Sequence, residues 1–232
     1  MAAASPLTQE QLDELRNFDT CMVANAVERF DVRLRNTGFT DGRIRCMFPD
    51  EPPMVGYAVT ARLRSGEPPI VGGSFTDRTE FWNHLLQVPP PRIVVLQDMD
   101  EPAGRGALVG DVHAAVLKAL GCIGYVTNGA VRELPSVRSN GVLLFAGSIT
   151  VSHAYAHIFD VGDPIQVGGM DVRPGDLLHG DRHGVLMIPG RIAAEVAGVA
   201  ADVQRAEKNV IEFCRSSAFS VEKLREVMKP LK

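Results

Sequence analysis

The sequence predicts a single α/β domain, and three observations carry that reading. A β-branched run (Ile93 to Leu96), a helical segment (Asp111 to Gly121) and a second apolar run from Cys122, "CIGYVT", follow one another in the order of a βαβ unit. Helical periodicity marks both ends of the chain. From Val142 onward the pattern changes to short apolar stretches separated by turns, which suits antiparallel or barrel-like strand pairing. The chain has 232 residues, 45% of them hydrophobic, enough for a sizeable core. With no internal repeat, low-complexity tract or linker, residues 1–232 read as one domain, with an N-terminal helix at about 8–18, a core at about 19–190 and a helical tail at about 191–232.

Thr8 and Gln11 stand at capping-box spacing ahead of Leu12, Leu15 and Phe18, which share a helical face and begin the fold. A second helix is predicted at "CMVANAVERF", from Cys21. Glycine and proline then punctuate the chain from Asp41 to Gly66, a region of strands and loops with one strand at "GYAVTARL". The Ile93 to Leu96 run suits a strand buried on both faces and ends in an acidic stretch, Asp98, Asp100 and Glu101, expected to be a solvated loop. The helix "DVHAAVLKALG" follows, with Gly121 as its C-cap, then the strand "CIGYVT" and an Asn-Gly turn. A helical crossover of this kind makes the two strands parallel. Short strands are predicted in "VLLFAGS", "DPIQVGGMDVRPGDLLHGD" and "HGVLMIPG". Ile192, Val196, Val199 and Val203 recur at helical intervals in a stretch without proline, so the tail forms one long helix or two.

Composition excludes several functions. A formal net charge of −4 lacks the basic footprint of a nucleic-acid binder. Cys21, Cys46, Cys122 and Cys214 lie far apart, without zinc-site spacing or the density of a disulfide scaffold, and read as reduced thiols. No apolar run reaches the roughly 18 residues that span a bilayer, and "MAAASPLTQEQ" lacks the order of a signal peptide, so a cytoplasmic location is expected.

Ligands of open α/β sheets bind beyond the carboxyl ends of the strands. Gly110 and Asp111 begin a helix at such an end, and Arg132 and Glu133 follow the next strand. Free amides at the helix start favour an anion, Arg132 can grip a carboxylate with its planar fork, and Glu133 can ligate a hard cation. Asp111 equally suits a plain N-cap, and Arg132 with Glu133 a solvated ion pair on a loop.

The Gly-Asp pair at Gly110 and Asp111, then Gly121, Gly124, Gly129 and Arg132, follows the pattern GD, a helix, GxxGxVxxGxxRD. In this the chain resembles the RraA-like proteins and class II 4-hydroxy-4-methyl-2-oxoglutarate aldolases, and the likeness extends over roughly residues 18 to 215 through "GYAVTARL" and "GGMDVRPGDLLHGDRHGVLMIP". The resemblance implies a compact α/β/β fold of the swivelling phosphohistidine-domain type, assembled as a homotrimer or hexamer with sites between subunits. It also implies a metal-dependent lyase that cleaves a C–C bond of a pyruvyl acid. The reaction would be retro-aldol cleavage of 4-hydroxy-4-methyl-2-oxoglutarate or decarboxylation of oxaloacetate, since both leave a pyruvate enolate.

Carried over by position, Gly110, Asp111, Val112 and His113 would hold the pyruvyl carboxylate and Arg132 the keto or enolate oxygen. Glu133 would stand at the ligand position for Mg²⁺ or Mn²⁺, whose Lewis acidity stabilises the enolate. Asp111 would polarise the water that takes the proton from the substrate hydroxyl, and Glu207 of an adjacent subunit would approach the same centre. Two positions depart from the pattern: Glu133 stands where the family has aspartate, and His113 where it has an apolar residue. The family also implies an alternative, a non-catalytic regulator that binds a protein such as RNase E. A methyltransferase activity lacks the glycine-rich loop that a nucleotide-type cofactor needs.

Two histidine pairs, His153 with His157 and His179 with His183, have the i, i+4 spacing of helical metal ligands but no helical context, so packed or hydrogen-bonded histidines are expected. Asp176 and Asp181 lie in turn sequences and are expected to satisfy backbone amides.

Overall fold

A computed structural model of the chain describes residues 6–70 and 78–229. The first five residues, read above for a leader segment, and the last three of the tail lie outside that range. The chain opens with α1 (Gln9–Leu15), which begins in the expected capping box: Thr8 Oγ1 accepts from the Gln11 amide, and Gln11 Oε1 accepts from the Thr8 amide. α2 (Thr20–Glu28) is capped by Asp19, whose side chain accepts from the Met22 amide at 2.7 Å. Two strands follow, β1 (Arg45–Cys46) and the long β2 (Met54–Arg64). After α3 (Thr79–Gln87), the chain forms the βαβ unit β3 (Arg92–Asp98), α4 (Asp111–Ala119) and β4 (Cys122–Thr127).

The short β5 (Ala130–Val131) leads into α5 (Leu134–Ser139), then β6 (Leu143–Ala146) and β7 (Ser148–Ile149). The remaining strands are β8 (His157–Phe159), β9 (Ile165–Val167), β10 (Met170–Val172), β11 (Leu177–Asp181) and β12 (Gly184–Ile188). The chain closes with the long α6 (Ala193–Arg215) and α7 (Val221–Val227).

The main sheet runs β1-β6-β4-β3-β2-β11-β12, with β8 also paired to β2. β2, β3, β4 and β6 are mutually parallel, and Ile93, Val94, Val95 and Leu96 at its centre are fully buried, as expected of a strand covered on both faces. β11 pairs with the first half of β2 and β8 with the last three residues of β2, so one edge of that strand serves two antiparallel partners. The expectation of antiparallel pairing from Val142 onward holds for β8 to β12 and for β6 against β1, and fails for β6 against β4 and for β7 against β5, both of which are parallel. The cause is α5, a crossover helix of six residues with proline in its first turn. It is too short for the periodicity of a helix to show, although proline at such a position is a helix-start signal.

α1 and α2 each pack on α6, with α2 against β11 and β12, while α4 lies against β4 and α5. The four cysteines are free, and among the described residues no helix is long and apolar enough to cross a membrane.

The acidic stretch is a solvated loop only at Glu101, which is exposed; Asp98 and Asp100 are drawn into the structure. Asp98 is 4% exposed, and its carboxylate accepts from the amides of Asp100 (3.0 Å) and Gly104 (2.7 Å). Asp100 in turn accepts from the Ser65 amide, the Ser65 hydroxyl and the Gly66 amide, all at 2.8 Å. Asn128 grips the Asp98 backbone at both ends, its Oδ1 accepting from the amide (2.7 Å) and its Nδ2 donating to the carbonyl (2.9 Å). A side chain at Gly129 would meet the Asp98 carboxylate, which is the reason for glycine there. Asp98→Ala strips the acceptor from two backbone amides and is expected to destabilise the fold by about 2–4 kcal/mol, read from urea unfolding. A loss below about 0.5 kcal/mol, the scale of a neutral surface change, would show that the loop holds without this carboxylate.

Candidate active site

The two ends of the segment Gly110–Glu133 meet. The stretch before α4 runs beside β5, with Ala107 bridged in parallel to Ala130 and the Arg132 amide donating to the Val109 carbonyl at 3.2 Å. Because β3 and β4 are neighbours in the sheet, their following loops leave from one edge, and this short backbone pairing fixes Gly110 and Asp111 against Arg132 and Glu133. α4 begins at Asp111, with Gly110 as its N-cap in extended conformation, and ends with Gly121 at φ +76°.

Glu133 is a non-glycine residue in the left-handed region (φ 55°, ψ 41°), where it precedes α5. From there its side chain folds back onto α4. Oε2 accepts from the Asp111 amide at 2.9 Å, and Oε1 accepts from Arg132 Nη2. A Cβ at Gly110 would collide with this carboxylate, so the helix start and Glu133 are in contact. Arg132's hydrogen bond, followed by that of the Asp111 amide, holds the Glu133 carboxyl below the usual carboxylate range. Asp111 turns its own Oδ1 to the Val112 amide at 2.6 Å. Two of the amides expected to receive a substrate carboxylate, those of Asp111 and Val112, are thus engaged by side-chain carboxylates of this chain.

These residues line a cavity of about 410 Å³ that also takes in Arg78 and Trp82 from the start of α3, His113 and His153. Val112 is 74% exposed, so its side chain offers the cavity little packing and its contribution is the backbone amide. His113 is the reverse, 6% exposed with Nδ1 2.7 Å from Arg78 Nη1. Burial, and then the neighbouring Arg78 cation, push its pKa down to about 3, so the imidazole is neutral at any ordinary pH. Burial lowers the Arg78 pKa as well.

As donors for a cation, Asp111 and Glu133 are two hard carboxylates on one cavity, the kind of set Mg²⁺ takes when it keeps several waters. Among the described residues no group of three or more His, Cys, Asp or Glu side chains stands together as a closed cage. Glu207 lies elsewhere: it is on α6, where its Oε1 accepts from Asn25 Nδ2 of α2 at 3.1 Å. Within one chain the structure does not bring it to this cavity.

The other polar clusters, His153 on the cavity wall aside, serve backbone and core contacts. His179 is fully buried between Thr20 Oγ1 and the Leu15 carbonyl, and His183 sits on Asp181. His153 and His157 each contact a nearby backbone carbonyl. Asp176 accepts from the Arg173 amide, and Asp181 from the amides of Thr20 and His183. The sequence reading missed α3, and with it Arg78 and Trp82. The available signal was Phe81 and Leu85, four apart and both buried.

A profile of the RraA-like family, described as Aldolase/RraA, matches residues 20–187. A protein of Halalkalibacterium halodurans, provisionally named a 4-hydroxy-4-methyl-2-oxoglutarate aldolase, is 34% identical over 137 residues, 59% of this chain and 60% of that protein. Protein DlpA of Legionella pneumophila is 25% identical over 62% of this chain and 23% of its own length. The chain therefore spans less than two thirds of either curated relative. Among solved structures, an uncharacterised protein from Pseudomonas syringae pv. tomato superposes with TM-score 0.74 at 25% identity, covering 97% of each chain. The Streptomyces coelicolor protein RraAS2, described as an unusual member of an RNase ES inhibitor family, superposes with TM-score 0.70 at 20% identity over 88% of this chain and 97% of its own.

Proposed function

The chain belongs to the RraA-like family, and from that premise we propose that it is a divalent-metal-dependent lyase that releases pyruvate from a pyruvyl acid. The observation that carries the proposal is the backbone bond from Arg132 to Val109, which sets one guanidinium and two carboxylates around a single cavity. The 34% identity to a protein named as an aldolase supports the reaction type. Assembly as a trimer or hexamer, the swivelling phosphohistidine-domain arrangement and the approach of Glu207 from an adjacent copy are further parts of the same proposal.

Mg²⁺ or Mn²⁺, held by Glu133 with Asp111 beside it, would supply Lewis acidity to the substrate's 2-oxo group. Arg132 would bind the same keto oxygen, and its fixed positive charge cannot be lost by deprotonation. As the bond between C3 and C4 breaks, its electron pair moves into the pyruvyl half, and the guanidinium stabilises the negative charge that develops on that oxygen. Asp111 would accept, through a water, the proton of the C4 hydroxyl, which becomes the carbonyl of the leaving half. Protonation of the enolate at C3 then gives pyruvate. The α4 amides would orient the pyruvyl carboxylate once Glu133 has given up the Asp111 amide, because both anions seek the same donor.

Purified chain supplied with Mg²⁺ or Mn²⁺ is expected to release pyruvate from 4-hydroxy-4-methyl-2-oxoglutarate or oxaloacetate, in a coupled assay, and to fall to buffer background with a chelator. Pyruvate at background in the presence of either metal, or a rate that a chelator leaves unchanged, overturns the metal-dependent lyase.

A further inference from the structure

One carboxylate covers two of the donors that a pyruvyl acid needs. Glu133 Oε1 accepts from the Arg132 guanidinium, and Oε2 accepts from the Asp111 amide at the start of α4. The contact requires glycine at position 110, where a Cβ would meet the Glu133 carboxylate. Arg132 and the α4 amides are the groups assigned above to the oxo oxygen and the carboxylate of the substrate. An anion of the chain itself thus engages both.

The backbone beneath this side chain is fixed from both sides. The Arg132 amide donates to the Val109 carbonyl at 3.2 Å, and the Glu133 carbonyl accepts from the Ser136 and Val137 amides of α5, both at 3.1 Å. Held between them, Glu133 keeps φ 55° and ψ 41°, a left-handed backbone that a non-glycine residue adopts only where its surroundings impose it. Letting go of α4 therefore takes rotation of one side chain and no movement of the backbone.

The hold is also weak enough to be undone. The Glu133 side chain is 36% exposed and that of Arg132 27%, and an ion pair open to water to this degree contributes little. A divalent cation carries twice the charge of the guanidinium and takes carboxylate oxygens as ligands. Asp111 brings a second carboxylate to the same cavity.

We propose that Glu133 is a latch: its carboxylate leaves Arg132 and the Asp111 amide when it ligates a divalent cation, which opens both donors to the substrate in one step. The inference rests on the reading above of the cavity as a site for a cation and a pyruvyl acid, and it adds the order of entry, cation first. Binding linkage is reciprocal, so the substrate anion in turn tightens the cation.

Two measurements on the full chain test this, and neither involves turnover. In the first, Mg²⁺ alone is titrated into isotope-labelled, chelator-treated protein, and the Asp111 amide is followed by NMR. Its proton is expected to move upfield as it loses a carboxylate acceptor, toward the position it holds in Glu133→Ala before any cation is added. In the second, pyruvate, which holds no bond for the proposed reaction to break, is titrated into chelator-treated protein. Glu133→Ala is expected to bind it at least about tenfold more tightly than the unaltered chain, the scale of one charge-assisted hydrogen bond made available. Asp111→Asn removes one negative charge from the same cavity and leaves the Glu133 contacts in place. It is expected to stay within about threefold of the unaltered chain, the effect of an exposed charge.

An Asp111 amide that Mg²⁺ leaves unmoved, pyruvate bound no more tightly by Glu133→Ala than by the unaltered chain, an equal gain in Asp111→Asn, or no pyruvate binding by any of the three each overturns the latch. Should Glu133→Ala fail to fold, Glu133→Gly takes its place, since glycine adopts the left-handed backbone of this position without strain. A latch that opens in a chain releasing no pyruvate from any pyruvyl acid leaves this inference standing and removes the lyase. Pyruvate release with an unmoved Asp111 amide does the opposite.

Discussion

Arg132→Ala is expected to lower pyruvate release by about 100- to 1,000-fold, with the loss in kcat rather than in substrate affinity. The guanidinium is placed by its own backbone: the Arg132 amide bonds to Val109, and β5 pairs with β7, so the site of attachment survives truncation of the side chain. What disappears is the charge facing the oxygen on which the enolate forms, an interaction that is weak with the neutral ketone and strong with the anion. A group of that kind acts on the transition state more than on the ground state. Arg132→Lys should recover part of the rate, since a point charge remains, but not all of it, since the planar fork is lost. If Arg132→Ala keeps the rate within about threefold of the unaltered protein, less than about 1 kcal/mol of transition-state stabilisation, the enolate is not held here and the proposed chemistry is wrong.

Glu133→Asp is expected to raise turnover by about tenfold or more. The Glu133 carboxylate reaches the Asp111 amide at 2.9 Å, the donor a pyruvyl carboxylate would need, and so competes with substrate from inside the protein. Removing one methylene draws the carboxylate back from α4 while keeping its charge beside Arg132. A misplacement of about 1 Å in such a site can cost about a hundredfold, and the shorter side chain relieves one of that size. Aspartate also tolerates the left-handed backbone of position 133 better than glutamate does. Glu133→Gln keeps the length and the contact with the helix end, so it should bring no gain. Turnover in Glu133→Asp no higher than in the unaltered protein would mean that the occupied helix end is not what limits the rate. No pyruvate from either protein would leave the non-catalytic, protein-binding alternative as the function of the cavity.

Much of this was legible in the sequence, for reasons that can be named. The βαβ unit could be read because Ile93 to Leu96 is apolar without alternation, as strands covered on both faces are, and because Gly121 ends α4 where the helical period stops. The capping box at Thr8, the turn role of Asp176 and the bond of Asp181 to the His183 amide involve partners a few residues apart, so local spacing was enough, whereas the second bond of Asp181, from the distant Thr20 amide, was not legible. The parallel placement of β6 was not legible, because it depends on a six-residue helix that carries no periodicity. Asp98 and Asp100 looked like solvated acids. The return of residues 65 and 66 to that loop supplies the donors that make Asp100 an internal ligand of the backbone, while the Asp98 carboxylate is held by the amides of Asp100 and Gly104.

The same division runs through the cavity. The sequence by itself determined which chemical groups are present at the sheet edge, because the order strand, helix, strand forces the start of α4 and the residues after β4 to one side. Glycine at 110 and 129 follows from the carboxylates that approach those positions. Tertiary structure alone decided who holds whom: that Glu133 turns onto α4, that Arg78 arrives from a separate helix to meet His113, and that Glu207 is bound to α2. The physical reason is range. Backbone periodicity and caps are set by neighbours within about four residues, whereas a charged side chain takes its partner from whatever the packed elements bring within hydrogen-bond distance, and no local pattern records that choice.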